Sequence, residues 1–240
     1  MKKITLILFS FGIFASMKAQ DSVTLRKHYL KVYTQALGYN DVNVAINALQ
    51  GYLAVDNSLI FKDTLSMLYF STKNYYSALL LSEEVYKAEP NNLDAMARTA
   101  ECYDELGDPK TAISLFEQVV PKTKSPYQAY KMAVCQYQLK RTSEAENSAK
   151  FVLADTNSKK IGVPFTSMNG NQQAVSVAAA AANLIGVLRM DAKNYADAKK
   201  YFDQALTLFP EFVGAKENLE AVNRASNPTK TPAKTPAKRG

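Results

Sequence analysis

Apolar residues recur along this 240-residue chain at the three- and four-residue intervals of amphipathic helices, and the helical patterns come in pairs. The second pattern of each pair carries an alanine near its start. These alanines are Ala45, Ala78, Ala112, Ala145 and Ala198. Their intervals are 33, 34, 33 and 53 residues, so the last interval equals one period plus an insertion of about 19 residues. Because one helix pair alone cannot bury its apolar stripe, the period predicts a stack of helix pairs.

Residues at fixed places within the period carry a family resemblance. The clearest period covers 179–212 and has Gly186, Asn194-Tyr195, Ala198, Phe202, Ala205 and Pro210. The periods at 59–92 and 93–126 share much of this pattern, which resembles the tetratricopeptide repeat (TPR). The resemblance implies an all-α, right-handed α-solenoid of about five TPR helix-turn-helix units, with a concave face lined by the first helices. We also predict a first helix at Asp21–Leu37 and a C-terminal capping helix at Phe212–Ala225.

The first 19 residues have the organisation of a secretory signal peptide. Lys2 and Lys3 precede a continuous apolar run at 4–15, and the small residue Ala19 suits cleavage. The run is shorter than the ~20 residues of a spanning helix. The sequence therefore predicts an exported bacterial TPR protein, periplasmic, associated with the cell envelope or secreted, and no transmembrane segment after cleavage.

The formal net charge of +7 comes from the two ends of the chain. Residues 1–19 hold three lysines, residues 227–240 hold four basic residues, and neither segment holds an acid, so residues 20–226 are neutral overall. A neutral body argues against a nucleic-acid-binding domain. The tail at 227–240 repeats Thr-Pro-Ala-Lys and is predicted to be disordered. It is either a basic tether to an anionic partner or a solubilising tail.

Few residues in the chain suit catalysis or metal binding. His28 is the only histidine, Cys102 and Cys135 are the only cysteines, and no glycine-rich phosphate-binding motif is present. We therefore predict no enzyme, no metal site and no cofactor. The two cysteines lie one period apart on successive first helices. At roughly 9–10 Å, such helices are too distant for a disulfide, so two buried thiols are predicted.

The insertion, 155–176, lies between the fourth and fifth units. Gly162, Pro164 and Asn169-Gly170 are expected to break it into turns. Its apolar residues, among them Phe165 and Met168, argue against simple disorder. They leave two alternatives open, a segment that binds a partner or a loop that plugs its own groove. The following helix is predicted to begin before residue 179 and to include Ala178–Ala182.

The groove is normally lined by first helices, and this placement selects the candidate partner-binding residues. They are Asp94, Arg98, Glu101, Asp104 and Glu105 in the third unit, Gln128 and Lys131 in the fourth, and Asn183 in the fifth. The acidic set suits a basic or amine-bearing segment, with Phe165 and Met168 as an apolar anchor beside it. The Lys/Asn/Arg set by which some TPR proteins hold a peptide carboxylate is not reproduced.

The predicted function is a non-catalytic scaffold or adaptor of the cell envelope that binds a peptide or protein through the concave face. One alternative is an accessory subunit of an outer-membrane or secretion assembly, docking by its convex face and the insertion. Another is a glycan- or peptidoglycan-binding protein, for which Tyr75-Tyr76 is the only adjacent tyrosine pair. Neither the partner's identity nor the oligomeric state follows from the sequence.

Overall fold

The computed structural model describes residues 21–226, which contain eleven α-helices and a two-stranded sheet. The helices are α1 (21–38), α2 (Val42–Leu53), α3 (Leu59–Ser71), α4 (Tyr75–Ala88), α5 (Leu93–Glu105), α6 (Pro109–Thr123), α7 (Pro126–Gln138), α8 (Thr142–Ala154), α9 (Val177–Asp191), α10 (Tyr195–Leu208) and α11 (Val213–Ser226). The predicted signal peptide, 1–19, and the predicted tail, 227–240, lie outside the described residues.

The helices occupy the places that the period predicts, with ten as first and second members of five repeats and α11 after the last. The all-α repeat fold is confirmed. The chain divides between α5 and α6 into an N-terminal unit, which ends at Leu106, and a C-terminal unit, which begins at Gly107. Within the N-terminal unit α2 packs on α3, α3 on α4 and α4 on α5. Within the C-terminal unit each helix from α6 to α11 packs on the next.

One left-handed residue separates the two helices of every repeat. These residues are Asn40 (φ 55°), Lys73 (φ 62°), Gly107 (φ 84°), Lys140 (φ 61°) and Lys193 (φ 58°). Their intervals equal those of the marker alanines, so the period is also a backbone period. In four repeats the next residue caps the second helix through its side chain, as Asn194 does for the backbone amide of Asp197.

The marker alanines are all fully buried, as close packing of the paired helices requires. Gly186 shows the same constraint between α9 and α10. A Cβ atom built on Gly186 would lie 2.4 Å from Cε1 of Phe202, whose ring is fully buried. Phe202 forms a core cluster with Ala198 and Val222, so α9, α10 and α11 share one apolar core.

The insertion differs from its predicted form, because it is a β-hairpin and not a series of turns. After a 3₁₀ helix at Thr156–Lys159, strand β1 (Gly162–Thr166) pairs antiparallel with β2 (Gln172–Ser176). The predicted turn at Asn169-Gly170 is confirmed, and Gly170 has φ +80°. Val163 and Val175 pair across the strands and are buried, and along β1 Val163 and the half-buried Phe165 alternate with exposed residues. This alternation defines one inward face of the hairpin.

The helix that follows the hairpin begins at Val177, as expected, and the whole segment 177–182 is buried. Cys102 and Cys135 are both buried and are not joined by a disulfide, which confirms the predicted thiols. Burial, and then the charge of Glu101, raise the pKa of the Cys102 thiol to about 12. Within residues 21–226, no helix is both long enough and apolar enough to span a bilayer.

Candidate functional site

The hairpin folds back onto the start of α11. The ring of Phe165 meets that of Phe212 edge to face, with 4.7 Å between centroids. It also lies where a side chain on Gly214 would project, because a Cβ atom there would be 2.3 Å from Phe165 Cε1. Gln173 Nε2 donates to the Glu211 carbonyl (2.6 Å), and its Oε1 accepts from the Val213 amide (3.1 Å). Gln173 thus pairs one of the first-turn amides that a helix leaves open.

A second contact, to Glu217 of α11, holds the tip of the hairpin. Oε2 of Glu217 accepts from the Met168 backbone amide at 3.2 Å, and Oε1 accepts from Nδ2 of Asn169 at 2.5 Å. Both donors are neutral. The carboxylate therefore orients the tip through two uncharged donors.

Between the hairpin and the helices of the C-terminal unit lies a cavity of about 390 Å³, called here the hairpin cavity. Its walls are first helices α7 and α9, helix α11 and the hairpin. The lining residues are Tyr130, Val134, Tyr137, Phe165, Thr166, Met168, Ala180, Asn183, Leu184, Val187, Met190, Asp191, Gly214, Glu217 and Asn218. The insertion therefore folds back on its own chain and forms one wall of this cavity.

Two buried asparagines place unpaired amide groups at the wall of the hairpin cavity. Asn218 Nδ2 donates to Asn183 Oδ1 at 2.9 Å, and the two residues are 7% and 3% exposed. Within residues 21–226, no hydrogen bond involves Asn183 Nδ2 or Asn218 Oδ1. The bonded pair thus has one donor group and one acceptor left, the complement of the C=O and N–H of a peptide backbone.

The charged groups of the hairpin cavity are all acidic. They are Glu217 at the hairpin end and Asp191 at the last residue of α9, and the lining contains no Lys, Arg or His. The Tyr137 hydroxyl donates to Asp191 Oδ2 at 2.9 Å. Burial, and then this hydrogen bond and the charge of Asp191, raise the pKa of Tyr137 to about 12. Tyr137 therefore remains a protonated donor at neutral pH.

The structure brings together only part of the predicted site within the C-terminal unit. Phe165 and Met168 line the hairpin cavity, as does Asn183, and Met168 is 70% exposed. Gln128 and Lys131 lie on α7 but do not line it. The side-chain oxygen of Gln128 accepts from the Thr123 hydroxyl at 2.8 Å, so this residue stabilises the turn between α6 and α7.

The remaining predicted residues lie on α5 of the N-terminal unit. Arg98 donates to Asp63 (2.6 Å) and to Ser66 (2.7 Å) of α3, so it links two first helices. The four acids of the set differ in exposure. Asp94 and Glu105 are exposed, Asp104 is half-buried and Glu101 is buried. Their part in partner binding stays a prediction.

The tyrosine pair behind the glycan alternative does not form a two-ring platform. Tyr75 packs edge-on against Phe70, with 5.4 Å between centroids, and only Tyr76 is well exposed. A platform for sugar rings needs adjacent exposed aromatic faces, and this tyrosine pair provides only one exposed ring, that of Tyr76.

The sequence prediction missed most of the hairpin cavity, including Glu217 and Asn218 of α11. It also missed the apolar wall that Leu184, Val187 and Met190 provide on α9. The available signal was weak. Asn218 is a polar residue on the otherwise apolar face of an amphipathic helix, as Asn183 is on α9.

Two family models match the chain. One, described as a tetratricopeptide repeat, matches residues 179–212. The other, described as anaphase-promoting complex, cyclosome, subunit 3, matches residues 71–152. No curated protein sequence matches the chain significantly.

Solved structures with the same fold include several TPR proteins. A tetratricopeptide repeat protein from Parabacteroides merdae has a TM-score of 0.66 at 13% identity, over 85% of this chain and 74% of that one. YrrB, described as a TPR protein with an unusual peptide-binding site, has a TM-score of 0.64 at 16% identity, over 80% and 90%. MamA 41-end from Desulfovibrio magneticus RS-1 has a TM-score of 0.63 at 14% identity, over 79% and 97%. With the 33–34-residue period and the helix pairs, these matches show that the chain has the fold of tetratricopeptide-repeat proteins, and its last repeat, 179–212, matches the family model itself.

Proposed function

We propose that this protein is a non-catalytic scaffold or adaptor that binds an extended peptide segment of a partner protein in the hairpin cavity. The observation that carries the proposal is the Asn183–Asn218 pair, which leaves one amide donor and one acceptor unpaired beside the apolar part of the cavity wall. Apolar side chains of a peptide would fill the space between Leu184, Val187 and the hairpin. The fold supports this function, since YrrB is described as having a peptide-binding site.

The dimensions of the cavity fit a short peptide. Asn183 and Asp191 are eight residues apart on α9, which corresponds to ~12 Å along the helix axis. An extended peptide covers this length with about four residues, at ~3.3 Å each. The volume of about 390 Å³ lies within the usual range of small ligand sites, ~300–1,000 Å³.

The test is to fill the cavity and compare binding with a matched surface change. Peptides selected from a random library on the full chain should lose binding to Val187→Trp, whose indole would occupy the cavity. They should keep binding to Thr207→Trp, which adds the same group on an exposed position of α10. Where Val187→Trp lowers stability, Thr166→Trp at the exposed rim provides a second blocking variant. Equal binding by the parent and both blocking variants would contradict the proposal.

We also propose that the protein acts in the cell envelope after export. The support is the basic start, the apolar run at 4–15 and Ala19. Expression of the full chain with a C-terminal tag, followed by fractionation and N-terminal sequencing, should give an exported protein that begins at Gln20. A product that keeps residues 1–19 and stays in the cytoplasm would contradict this location.

A second candidate function is that of an accessory subunit of an envelope assembly, and it rests on a different cavity. This cavity of about 380 Å³ is formed by α6, α7 and α8 and is lined by Val120, Pro121, Lys124, Ala129, Met132, Asn147, Ser148 and Phe151. Phe151 is 42% exposed, an unusual place for a large aromatic ring. If this surface docks the protein, Phe151→Ser should release it from its envelope complex and Val187→Trp should not. The opposite result would favour the hairpin cavity.

A further inference from the structure

We infer that the peptide bound in the hairpin cavity carries a lysine or arginine next to its apolar side chain, and that Glu217 determines this specificity. The inference rests on the proposed function and adds the chemistry of the partner. Its basis is the charge of the cavity, which has carboxylates at its two ends and no cation in its lining.

Glu217 has no positive partner within the described part of the chain. Its two hydrogen-bond donors, the Met168 amide and the Asn169 side chain, are neutral, and no ion pair among residues 21–226 involves it. The neighbouring Lys216 pairs instead with Glu211 at 3.1 Å. Each carboxylate oxygen accepts one hydrogen bond and has capacity for a second, so a cation can bind without displacing the hairpin tip.

The place of Glu217 makes its charge effective. The residue is half-buried where α11 meets the hairpin, in the lining of the hairpin cavity. A cation that reaches it pairs in surroundings less polar than bulk water, where the attraction is stronger than at an exposed surface. Asp191, at the other end, is exposed and already accepts from Tyr137, so its contribution should be smaller.

The buried asparagine pair gives the site a second, independent feature that points to a peptide. Asn183 is 3% exposed and its Nδ2 is unpaired among residues 21–226. A backbone held there lies near Glu217, which precedes Asn218 on α11 and lines the same cavity. A basic side chain on a neighbouring residue can therefore reach Glu217 while an apolar side chain enters the cavity.

The experiment compares four capped seven-residue peptides by fluorescence anisotropy with the full chain. Each peptide has the sequence Ser-Ser-X-Leu-Phe-Ser-Ser, in which the variable residue X is Lys, Arg, Gln or Glu. The parent protein should bind the Lys and Arg peptides about tenfold more tightly than the Gln peptide, the effect of one charge-assisted hydrogen bond. The Glu peptide should bind most weakly.

Three variants assign the preference to the carboxylate. Glu217→Gln should bring the Lys and Gln peptides to within about twofold of each other. Glu220→Gln, on an exposed position of the same helix, should leave the preference unchanged. Asn169→Ala removes a hydrogen bond from the hairpin tip without changing the charge of the cavity, and the preference for lysine should persist. This variant separates the charge of Glu217 from its role in holding the tip.

The possible failures are distinguishable. If the parent binds all four peptides equally and Val187→Trp abolishes binding, the specificity is wrong and the proposed function stands. If Glu217→Gln keeps the full preference for lysine, the cation is recognised elsewhere and the inference is overturned. If no peptide of the panel binds, both the inference and the proposed peptide-binding function are overturned.

Discussion

Replacing Gly186 by alanine should destabilise the protein, against the usual effect of this change in a helix. An alanine within a helix is favoured over glycine by about 1 kcal/mol. Here the added Cβ atom would lie 2.4 Å and 2.6 Å from two ring carbons of Phe202, whereas carbon atoms pack at ~3.5–4.0 Å. The ring is fully buried in the cluster with Ala198 and Val222, so it cannot move aside freely. Overpacking of this kind costs roughly 1–3 kcal/mol, and we expect a net loss of about 1 kcal/mol.

Urea unfolding of the full chain measures this effect, and a double-mutant cycle identifies its cause. In a Phe202→Leu background the ring carbons are absent, so Gly186→Ala should become neutral or stabilising. Gly38→Ala is the control, because a Cβ atom there would meet nothing within 4 Å. A Gly186→Ala protein as stable as the parent, or more stable, would refute the reasoning, as would an equal loss in both backgrounds.

Three further predictions concern other contacts. Gly214→Ala should push the Phe165 ring off α11, which weakens peptide binding severalfold in anisotropy measurements and lowers stability by about 1 kcal/mol; unchanged binding would contradict the contact. Lys193→Gly should raise stability in urea by about 0.5 kcal/mol, since relief of a left-handed residue (~1–2 kcal/mol) outweighs the entropy of glycine (~0.5–1 kcal/mol), and a loss would contradict this. The Cys102 thiol is protonated in both states below pH 9, and above pH 9 the unfolded chain loses that proton first. Stability should therefore fall more steeply between pH 9 and about 12 in the parent than in Cys102→Ala, and identical pH profiles would contradict the buried thiol.

The repeat architecture was predictable because its signals are local. Ala78 and Ala198 mark positions where only a small residue fits between paired helices, and such positions recur in every period. Asn74 and Asn194 begin the second helices as side-chain caps. Local capping and short-range packing repeat in the sequence, so the period alone predicts the helix pairs.

The hairpin was missed although part of its signal is present. Asn169-Gly170 is a strong turn sequence, and Val163, Phe165 and Val175 alternate with more polar residues around it. Pro164 obscures the first strand because proline is rare within sheets. Its missing N–H is tolerated here because β1 is an edge strand.

The hairpin cavity could not be predicted because it depends on contacts between distant segments. Phe165 meets Gly214 and Phe212 only after the hairpin folds back across more than 40 residues of chain. Glu217 acquires its place in the wall through the same contact. Phe165 and Met168 were recognised from their apolar character alone, which marks candidate contact residues but does not identify the residues that they meet.

The most direct test of peptide binding in the hairpin cavity is to locate a bound peptide by the side-chain amide signals of asparagine. In ¹H–¹⁵N spectra of the full chain, assigned by Asn→Asp substitution, the Lys-Leu-Phe peptide should shift the signals of Asn183 and Asn218. The signal of Asn147, in the cavity between α6, α7 and α8, should stay unchanged. A peptide that shifts Asn147 and leaves Asn183 and Asn218 in place would contradict the account.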